Sequence, residues 1–199
     1  MSKAERLSIL YNRYRKQFEG KEIVVGDGNP DSSLLLIGEA PGKDEVAQEK
    51  PFVGMAGKNL TQFLEILGFN RDEIYITNAI KHRLSKINPD TGRISNRPAT
   101  KEEIEQNREY LIKEIDIIEP KYIVTLGNVP LRSVLGDHKV SIGQFHGRLN
   151  KVVILDKEYE LYPLYHPASI IYNVALKEVY IEDIGNLRRI ITSSNSKME

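Results

Sequence analysis

Three short apolar runs constrain the fold of this chain more than any other feature. They occupy residues 34–37, 74–77 and 122–127, and each is followed closely by glycine or a polar side chain. A run of this length without polar alternation is typical of a strand that is buried on both faces. The runs alternate with helical patterns, so we predict a parallel α/β sheet that is covered on both sides.

Helical periodicity and capping signals fill the intervals between these runs. Residues 4–18 place apolar side chains at helical spacing, and residues 58–67 predict a helix that ends at Gly68. Thr100 and Glu103 form a capping box for a helix that stops before Pro120. The remaining expected elements are helices at 128–135 and 174–191, strands at 152–155 and 159–164, and loops at 38–57 and 79–99.

Composition excludes several kinds of site. The 199 residues include no cysteine, which excludes disulfides, thiolate zinc sites, cysteine nucleophiles and cysteine-ligated iron–sulfur clusters. The 28 Lys and Arg residues balance 28 Asp and Glu residues, so any nucleic-acid surface requires a local concentration of positive charge. No apolar run approaches the roughly 18 residues of a membrane span, and we expect a cytoplasmic protein.

Polar clusters follow the ends of the expected strands, which is where parallel sheets bind ligands. The first, GEAPGKDE at 38–45, is too short for a phosphate loop, and Asp44 stands where such a loop needs Ser or Thr. Its glycines and carboxylates predict either a loop that offers backbone N–H groups and an acid to a ligand, or a tight turn with solvated charges.

Three further clusters each allow two interpretations. Phe52, in a glycine-rich loop, offers a flat face for stacking on a base or anchors the loop to the core. Asn78 has an amide that complements uracil N3–H and O4, or it closes an Asx turn or caps a helix. His166, directly before Pro167, is placed as a catalytic residue or donor, or it is a hydrogen-bonded structural residue.

The order and spacing of these clusters resemble the uracil-DNA glycosylase superfamily, most closely its family 4 type. The resemblance implies a three-layer α/β/α sandwich with a central four-stranded parallel sheet. It also implies hydrolysis of the N-glycosidic bond of deoxyuridine in DNA, leaving an abasic site. The matching segments are GEAPGKDE (38–45), PFVGMAGKNL (51–60), YITNAIKHR (75–83), NRP followed by EEI (96–104), PKYIVTLG (120–127) and HPAS (166–169).

The same resemblance implies roles in reading the base. Phe52 would stack on a flipped uracil, and Asn78 would read its N3–H and O4. The backbone of Ala40 and the side chain of His166 would hydrogen-bond O2. Glu45 would crowd C5, where thymine carries its methyl group.

Further proposed roles concern catalysis and DNA binding. Glu39 is our candidate for positioning water or countering the charge of an oxocarbenium-like sugar, with bonding to the loop backbone as its alternative. Ile170 or Ile171 would fill the stack that the flipped base vacates. A local positive rim would come from Lys43, Lys58, Lys81, Arg83 and Arg97.

The chain departs from the family pattern at its cysteines. Family 4 proteins usually carry four cysteines that bind a [4Fe–4S] cluster, whereas His82 and Asn107 stand at two of those positions here. The N-terminal pair is also missing. We therefore expect no metal or other cofactor, and we expect apolar packing to support the same segments, from Leu7, Leu10, Tyr11, Tyr14 and Phe18.

The sequence thus predicts one glycosylase-like domain over residues 1–191 and a polar C-terminal tail at 192–199. The leading hypothesis is a monomeric, monofunctional uracil-DNA glycosylase that acts on uracil-containing DNA ahead of downstream base-excision repair proteins. Two alternatives stay open: a non-catalytic relative that binds DNA or nucleotides, and a glycosylase for hypoxanthine or xanthine.

Overall fold

The apolar runs form the centre of a six-stranded sheet in the computed structural model, which describes residues 1–171 and 174–195. In chain order the strands are β1 (Asp27–Gly28), β2 (Leu34–Gly38), β3 (Tyr75–Asn78), β4 (Ser85–Ile87), β5 (Ile94–Asn96), β6 (Tyr122–Leu126), β7 (Asn150–Ile154) and β8 (Lys157–Leu164). The main sheet has the order β1-β3-β2-β6-β8-β7, and β4 and β5 form a separate hairpin.

Four adjacent strands, β3, β2, β6 and β8, run parallel to one another. The predicted four-stranded parallel sheet is confirmed as this central part, and the short β1 and the longer β7 extend it as antiparallel edges. Alternate side chains enter opposite layers: Leu35 and Ile37 belong to one apolar core, and Leu34 and Leu36 to the other.

Helices cover both faces and complete the predicted three layers. They are α1 (Lys3–Gln17), α2 (Lys43–Gln48), α3 (Met55–Leu67), α4 (Lys101–Ile118), α5 (Asn128–Leu135), α6 (Ile142–Phe145), α7 (Pro167–Ile171) and α8 (Val174–Asn195). Buried side chains of α1, α4 and α5 share the core of Leu35, while those of α3 and α8 share the core of Leu34. Within the described residues, no helix is long and apolar enough to cross a membrane.

Two of the expected loops contain regular structure. The segment 38–57 includes α2, whose buried side chain is the carboxylate of Glu45 rather than an apolar residue, so no apolar periodicity marks it. The segment 79–99 includes the β4–β5 hairpin, whose strands have three residues each. Helix α8 continues to Asn195, four residues into the expected polar tail.

The carboxyl ends of the parallel strands meet at one edge of the sheet. Gly38 pairs with Asn78 at the ends of β2 and β3, and Leu126 pairs with Leu164 near the ends of β6 and β8. Gly127 follows β6 with φ +92°, and a Cβ there would lie 3.2 Å from the His166 Cβ. Glycine is therefore required both by the backbone conformation and by the approach of the His166 segment.

A buried ion pair ties the end of β3 to α4. Lys81 Nζ lies 2.7 Å from Glu114 Oε2, and the two side chains are 1% and 0% exposed. Lys81 also donates to the Asn78 carbonyl at 3.0 Å, while Glu114 accepts from the hydroxyls of Tyr11 and Thr77. The prediction that Lys81 belongs to a positive rim is wrong, because burial of an ammonium requires this kind of internal partner.

A second buried network joins α1 to the segment after β3 and to α4. The Tyr14 hydroxyl donates to Asn107 Oδ1 at 2.5 Å, accepts from the Lys81 backbone N–H at 3.0 Å, and lies 2.8 Å from His82 Nδ1. Since the single hydroxyl proton goes to Asn107, His82 is the donor of the third bond. The ring of Phe18 packs 4.5 Å from Tyr14 and 5.0 Å from His82 between centroids.

The structure therefore adds polar bonds to the apolar support expected from α1. Leu7, Leu10 and Tyr11 are buried in the core of that face, as predicted. Tyr14 is fully buried, and its burial raises the pKa of the hydroxyl while that of His82 is lowered by burial. Both groups are thus neutral partners in the network.

We predict that Tyr14→Phe lowers the free energy of unfolding by about 2 kcal/mol. The substitution keeps the ring but leaves the buried partners of the hydroxyl, on Lys81, His82 and Asn107, without their hydrogen bonds. Urea denaturation followed by circular dichroism measures the change. The matched control is Tyr110→Phe, whose hydroxyl bonds Gln17 at an exposed position. It should change stability by less than about 0.5 kcal/mol. Equal effects of the two variants would contradict the assigned network.

Candidate active site

A cavity of about 430 Å³ opens at the carboxyl ends of the parallel strands. Its wall combines the loop after β2, the start of the loop before α3, the end of β3 and the segment after β8. The residues that line it are Glu39, Ala40, Gly42, Lys43, Asp44, Glu45, Phe52, Gly54, Asn78, Asn96 and His166. The four sequence clusters thus meet in one cavity of the size typical of small-molecule sites.

Phe52 and Asn78 approach the same glycine at the end of β2. A Cβ added to Gly38 would lie 2.4 Å from Phe52 Cζ and 2.5 Å from Asn78 Oδ1. Phe52 has φ +53°, a conformation that costs energy in a residue with a side chain, and Arg71 donates to its carbonyl at 3.1 Å. The loop is therefore held so that the aromatic ring lies beside the Asn78 amide at the cavity wall.

The side-chain amide of Asn78 is free to bind a ligand. Asn78 is 3% exposed, and its amide has no hydrogen-bond partner among the described residues. Its backbone carbonyl, in contrast, accepts from Lys81. Buried amides are usually paired, so an unpaired one at a cavity wall indicates a place for a ligand group with complementary donors and acceptors.

His166 is arranged as a neutral donor. The backbone N–H of Ala168 donates to His166 Nδ1 at 3.1 Å, which leaves the proton of the neutral ring on Nε2. Burial lowers the pKa of His166 from its ordinary value of 6.5. Ser169 donates to the His166 carbonyl from its backbone N–H at 2.9 Å and its hydroxyl at 2.6 Å, which fixes the segment.

The carboxylate of Glu45 joins the two loops that form the cavity wall. Its Oε2 accepts from the Gly42 N–H at 3.0 Å, and its Oε1 accepts from the N–H groups of Val53 and Gly54 at 3.0 and 2.8 Å. Sequence reasoning assigned Glu45 only to the C5 side of a base. The structure shows that it also fixes the loop of Phe52 against the loop of Ala40.

Glu39 and Ala40 contribute a carboxylate and a backbone donor. The Glu39 side chain accepts from the Ala99 N–H at 3.2 Å, and burial raises the pKa of Glu39 above its ordinary value in spite of this bond. The backbone N–H of Ala40 has no hydrogen-bond partner in the described part of the chain, and Ala40 lines the cavity. Both groups are therefore available to a ligand.

The predicted DNA-contacting cations differ in their exposure and in whether a carboxylate pairs with them. Lys43 is exposed and lies at the cavity, and Lys58 is exposed on α3. The Arg83 side chain is only 9% exposed, 3.5 Å from Glu22. Arg97 holds Glu103 through two bonds of 2.8 and 2.6 Å, which lower the pKa of Glu103 to about 2.

The side chains of Ile170 and Ile171 lie outside the described residues. Their backbone belongs to α7, which begins one residue after His166. The predicted insertion of either side chain into a base stack therefore stays a prediction.

Sequence reasoning assigned no role to Asn96, which lines the cavity from the end of β5. The signal was present, because Asn96 belongs to the NRP segment that carries the resemblance. Its place in the cavity wall depends on the pairing of β5 with β4, which the sequence pattern does not predict.

The residues at the expected cluster positions do not fit an iron–sulfur cluster. His82 and Asn107 are both bonded to the Tyr14 hydroxyl, and the chain has no thiolate to offer. No group of three or more His, Cys, Asp or Glu side chains within the described ranges is arranged to hold a metal ion.

Comparison with known proteins agrees with the fold and the cavity. The uracil DNA glycosylase superfamily matches residues 25–185. A type-4 uracil-DNA glycosylase of Sulfurisphaera tokodaii is 39% identical over 171 residues, covering 84% of this chain and 74% of that protein. A type-4 uracil-DNA glycosylase of Thermotoga maritima is 31% identical over 198 residues, covering 96% of this chain and 97% of that protein.

A parallel sheet with a polar cavity at its carboxyl ends defines a binding or catalytic α/β domain. The match to the family and to these relatives decides between binding and catalysis. The chain belongs to the uracil DNA glycosylase superfamily, a class of DNA repair enzymes. The resemblance inferred from the motifs is thereby confirmed, together with the α/β/α architecture.

Proposed function

We propose that this protein hydrolyses the N-glycosidic bond of deoxyuridine in DNA, releasing uracil and leaving an abasic site. The observation that carries the proposal is the unpaired amide of Asn78 at the wall of a cavity that also contains a neutral His166. The type-4 relatives named above support the choice of uracil.

Recognition of the base follows from the groups on the cavity wall. The Asn78 amide accepts from uracil N3–H and donates to O4, whereas cytosine presents the reverse pattern. The ring of Phe52 offers an apolar face for stacking. Glu45, fixed by three backbone N–H groups, occupies the C5 side and excludes the methyl group of thymine.

Cleavage of C1′–N1 passes through an oxocarbenium-like sugar and a departing uracil anion. The N–H of Ala40 and the Nε2–H of His166 donate to O2 as negative charge develops there. Donors of this kind, held in place before the reaction, contribute roughly 3 kcal/mol each. The Glu39 carboxylate counters the positive charge of the sugar and positions the attacking water.

The base reaches this cavity only after extrusion from the helix, which costs a few kcal/mol. Lys43 binds a phosphate at the cavity mouth, and Ile170 or Ile171 fills the vacated stack. We further propose that the protein acts as a cofactor-free monomer in the cytoplasm. The abasic product then passes to downstream base-excision repair proteins.

The first test is uracil release from a labelled oligonucleotide with one deoxyuridine, single- and double-stranded, with alkali to reveal abasic sites. We predict release by the wild type without strand cleavage. His166→Ala and Asn78→Ala should each slow single-turnover release about 100-fold or more, as expected for loss of an aligned polar group. The matched control is His138→Ala, since His138 pairs with Glu105 outside the cavity.

The outcomes separate the alternatives. Tight binding of the deoxyuridine oligonucleotide without release would favour a non-catalytic relative. Release only from oligonucleotides that carry hypoxanthine or xanthine would reassign the substrate. Unchanged release in both cavity variants would contradict the proposed roles of Asn78 and His166.

We predict that single-turnover release is constant near pH 7 and falls as pH decreases. The catalytic forms are a neutral His166, whose pKa lies below 6.5, and an ionised Glu39, whose pKa lies above its usual 4.5. Protonation at His166 Nδ1 would also break the hydrogen bond that this nitrogen accepts from the Ala168 N–H. In the Glu39→Gln variant, the fall in release rate at low pH should lack the contribution that comes from protonation of Glu39. A rate that rises on acidification would contradict the assignment.

A further inference from the structure

The β4–β5 hairpin exposes an apolar pair beside the cavity. Ile87 and Ile94 are cross-strand partners, and they are 66% and 53% exposed. Cross-strand partners project from the same face of a two-stranded sheet. The hairpin thus presents two adjacent isoleucines to solvent, in a protein that buries most of its large aliphatic side chains.

The exposed pair shares its face with a residue of the cavity wall. Side chains alternate along a strand, so Ile94 and Asn96 project to the same side, as do Ile87 and Ser85. Asn96 lines the cavity. Two residues of strand span roughly 7 Å, so the isoleucine pair lies about that far outward from the cavity mouth.

The hairpin is held at both its base and its tip. At the base, Leu84 is buried and its carbonyl accepts from the Arg97 N–H at 3.1 Å. At the tip, Asn88 Oδ1 accepts from the N–H groups of Asp90 and Thr91 at 2.9 and 3.0 Å. These bonds define an Asx turn, so the pair is presented on an ordered projection.

Positive charge is concentrated on the same projection. Residues 83–97 contain four Lys and Arg side chains and a single acidic residue, and two of the four, Arg83 and Arg97, are paired with Glu22 and Glu103 outside the segment. Lys86 and Arg93 are exposed and form no salt bridge to any described residue. Lys86 alternates with Ile87 along β4 and so projects from the opposite face, while Arg93 directly precedes β5 and its carbonyl accepts from the Asn88 N–H at 2.9 Å.

We propose that this hairpin is a second DNA-contacting element, in which Ile87 and Ile94 pack against the bases beside the extruded nucleotide. Lys86 and Arg93 attract the phosphates of the DNA that surrounds the hairpin. Apolar side chains that wedge against base steps are a known means of holding deformed DNA, and paired cations supply the affinity. The proposal deepens the proposed function, since it assumes that DNA is the ligand of the adjacent cavity.

The test measures DNA affinity separately from catalysis. Fluorescence anisotropy follows binding of a duplex that carries a tetrahydrofuran abasic analogue, which requires no base release. We expect Ile87→Ser with Ile94→Ser to weaken binding at least 10-fold while leaving the salt dependence unchanged. The matched control, Val153→Ser with Ile181→Ser, removes two exposed apolar side chains elsewhere and should bind as the wild type does.

The charge variant provides an independent measurement. Lys86→Gln with Arg93→Gln should also weaken binding and should reduce the slope of log K against log salt by about two. A 2-aminopurine placed next to the lesion reports stacking at saturating protein. Its fluorescence should differ from that of the wild-type complex for the isoleucine variant and match it for the charge variant. Circular dichroism and urea denaturation verify the fold of each.

Each outcome bears on one proposal. Wild-type affinity in the isoleucine variant would overturn the hairpin proposal, as would an unchanged salt slope in the charge variant. If DNA affinity stays unchanged while sedimentation shows loss of self-association, the pair is a contact between copies of the chain, and the proposal also fails. Hairpin-dependent binding without uracil release would uphold this inference and refute only the proposed function.

Discussion

The buried pair of Lys81 and Glu114 is the interaction on which the rest of the cavity depends. An ammonium that is 1% exposed is tolerable only with its charge compensated, and Glu114 lies 2.7 Å away with its remaining capacity used by Tyr11 and Thr77. Through its bond to the Asn78 carbonyl, Lys81 fixes the backbone from the inside. The Asn78 side-chain amide lines the cavity and has no hydrogen-bond partner among the described residues.

The neighbouring network joins the segments at which the family resemblance implies a cysteine-ligated cluster. One Tyr14 hydroxyl makes bonds to α4 through Asn107 and to the segment after β3 through His82 and the Lys81 backbone. These bonds join α1 and α4 to the segment that follows the carboxyl end of β3, and the side chains of Tyr14, His82 and Asn107 are not among those that line the cavity. The two sets of residues meet at Lys81, whose backbone N–H bonds Tyr14 and whose side chain bonds the Asn78 carbonyl.

Sequence patterns predicted the parts of the structure that local burial determines. β2, β3 and β6 lie within one residue of the apolar runs because burial on both faces requires such runs. The six proposed base-reading and catalytic residues line one cavity because they lie at the carboxyl ends of parallel strands or in the segments that follow them. The burial of Lys81 was not predictable, since its partner Glu114 is 33 positions away and lysine in a polar stretch is usually exposed. The hairpin was missed because its three-residue strands carry no apolar alternation against a core.

The distribution of charge around the cavity acts differently on the phosphates and on the bases of a DNA strand. Glu39, Asp44 and Glu45 line the cavity together with the exposed Lys43, while Lys86 and Arg93 of the hairpin project outside it. A phosphate is repelled from such an interior and attracted to its exterior, whereas a neutral base enters without an electrostatic penalty. The same carboxylates favour positive charge on a sugar held at the mouth. For the proposed function, this placement of charges would let an electrically neutral chain attract a polyanion outside the cavity and favour positive charge on a sugar at its entrance.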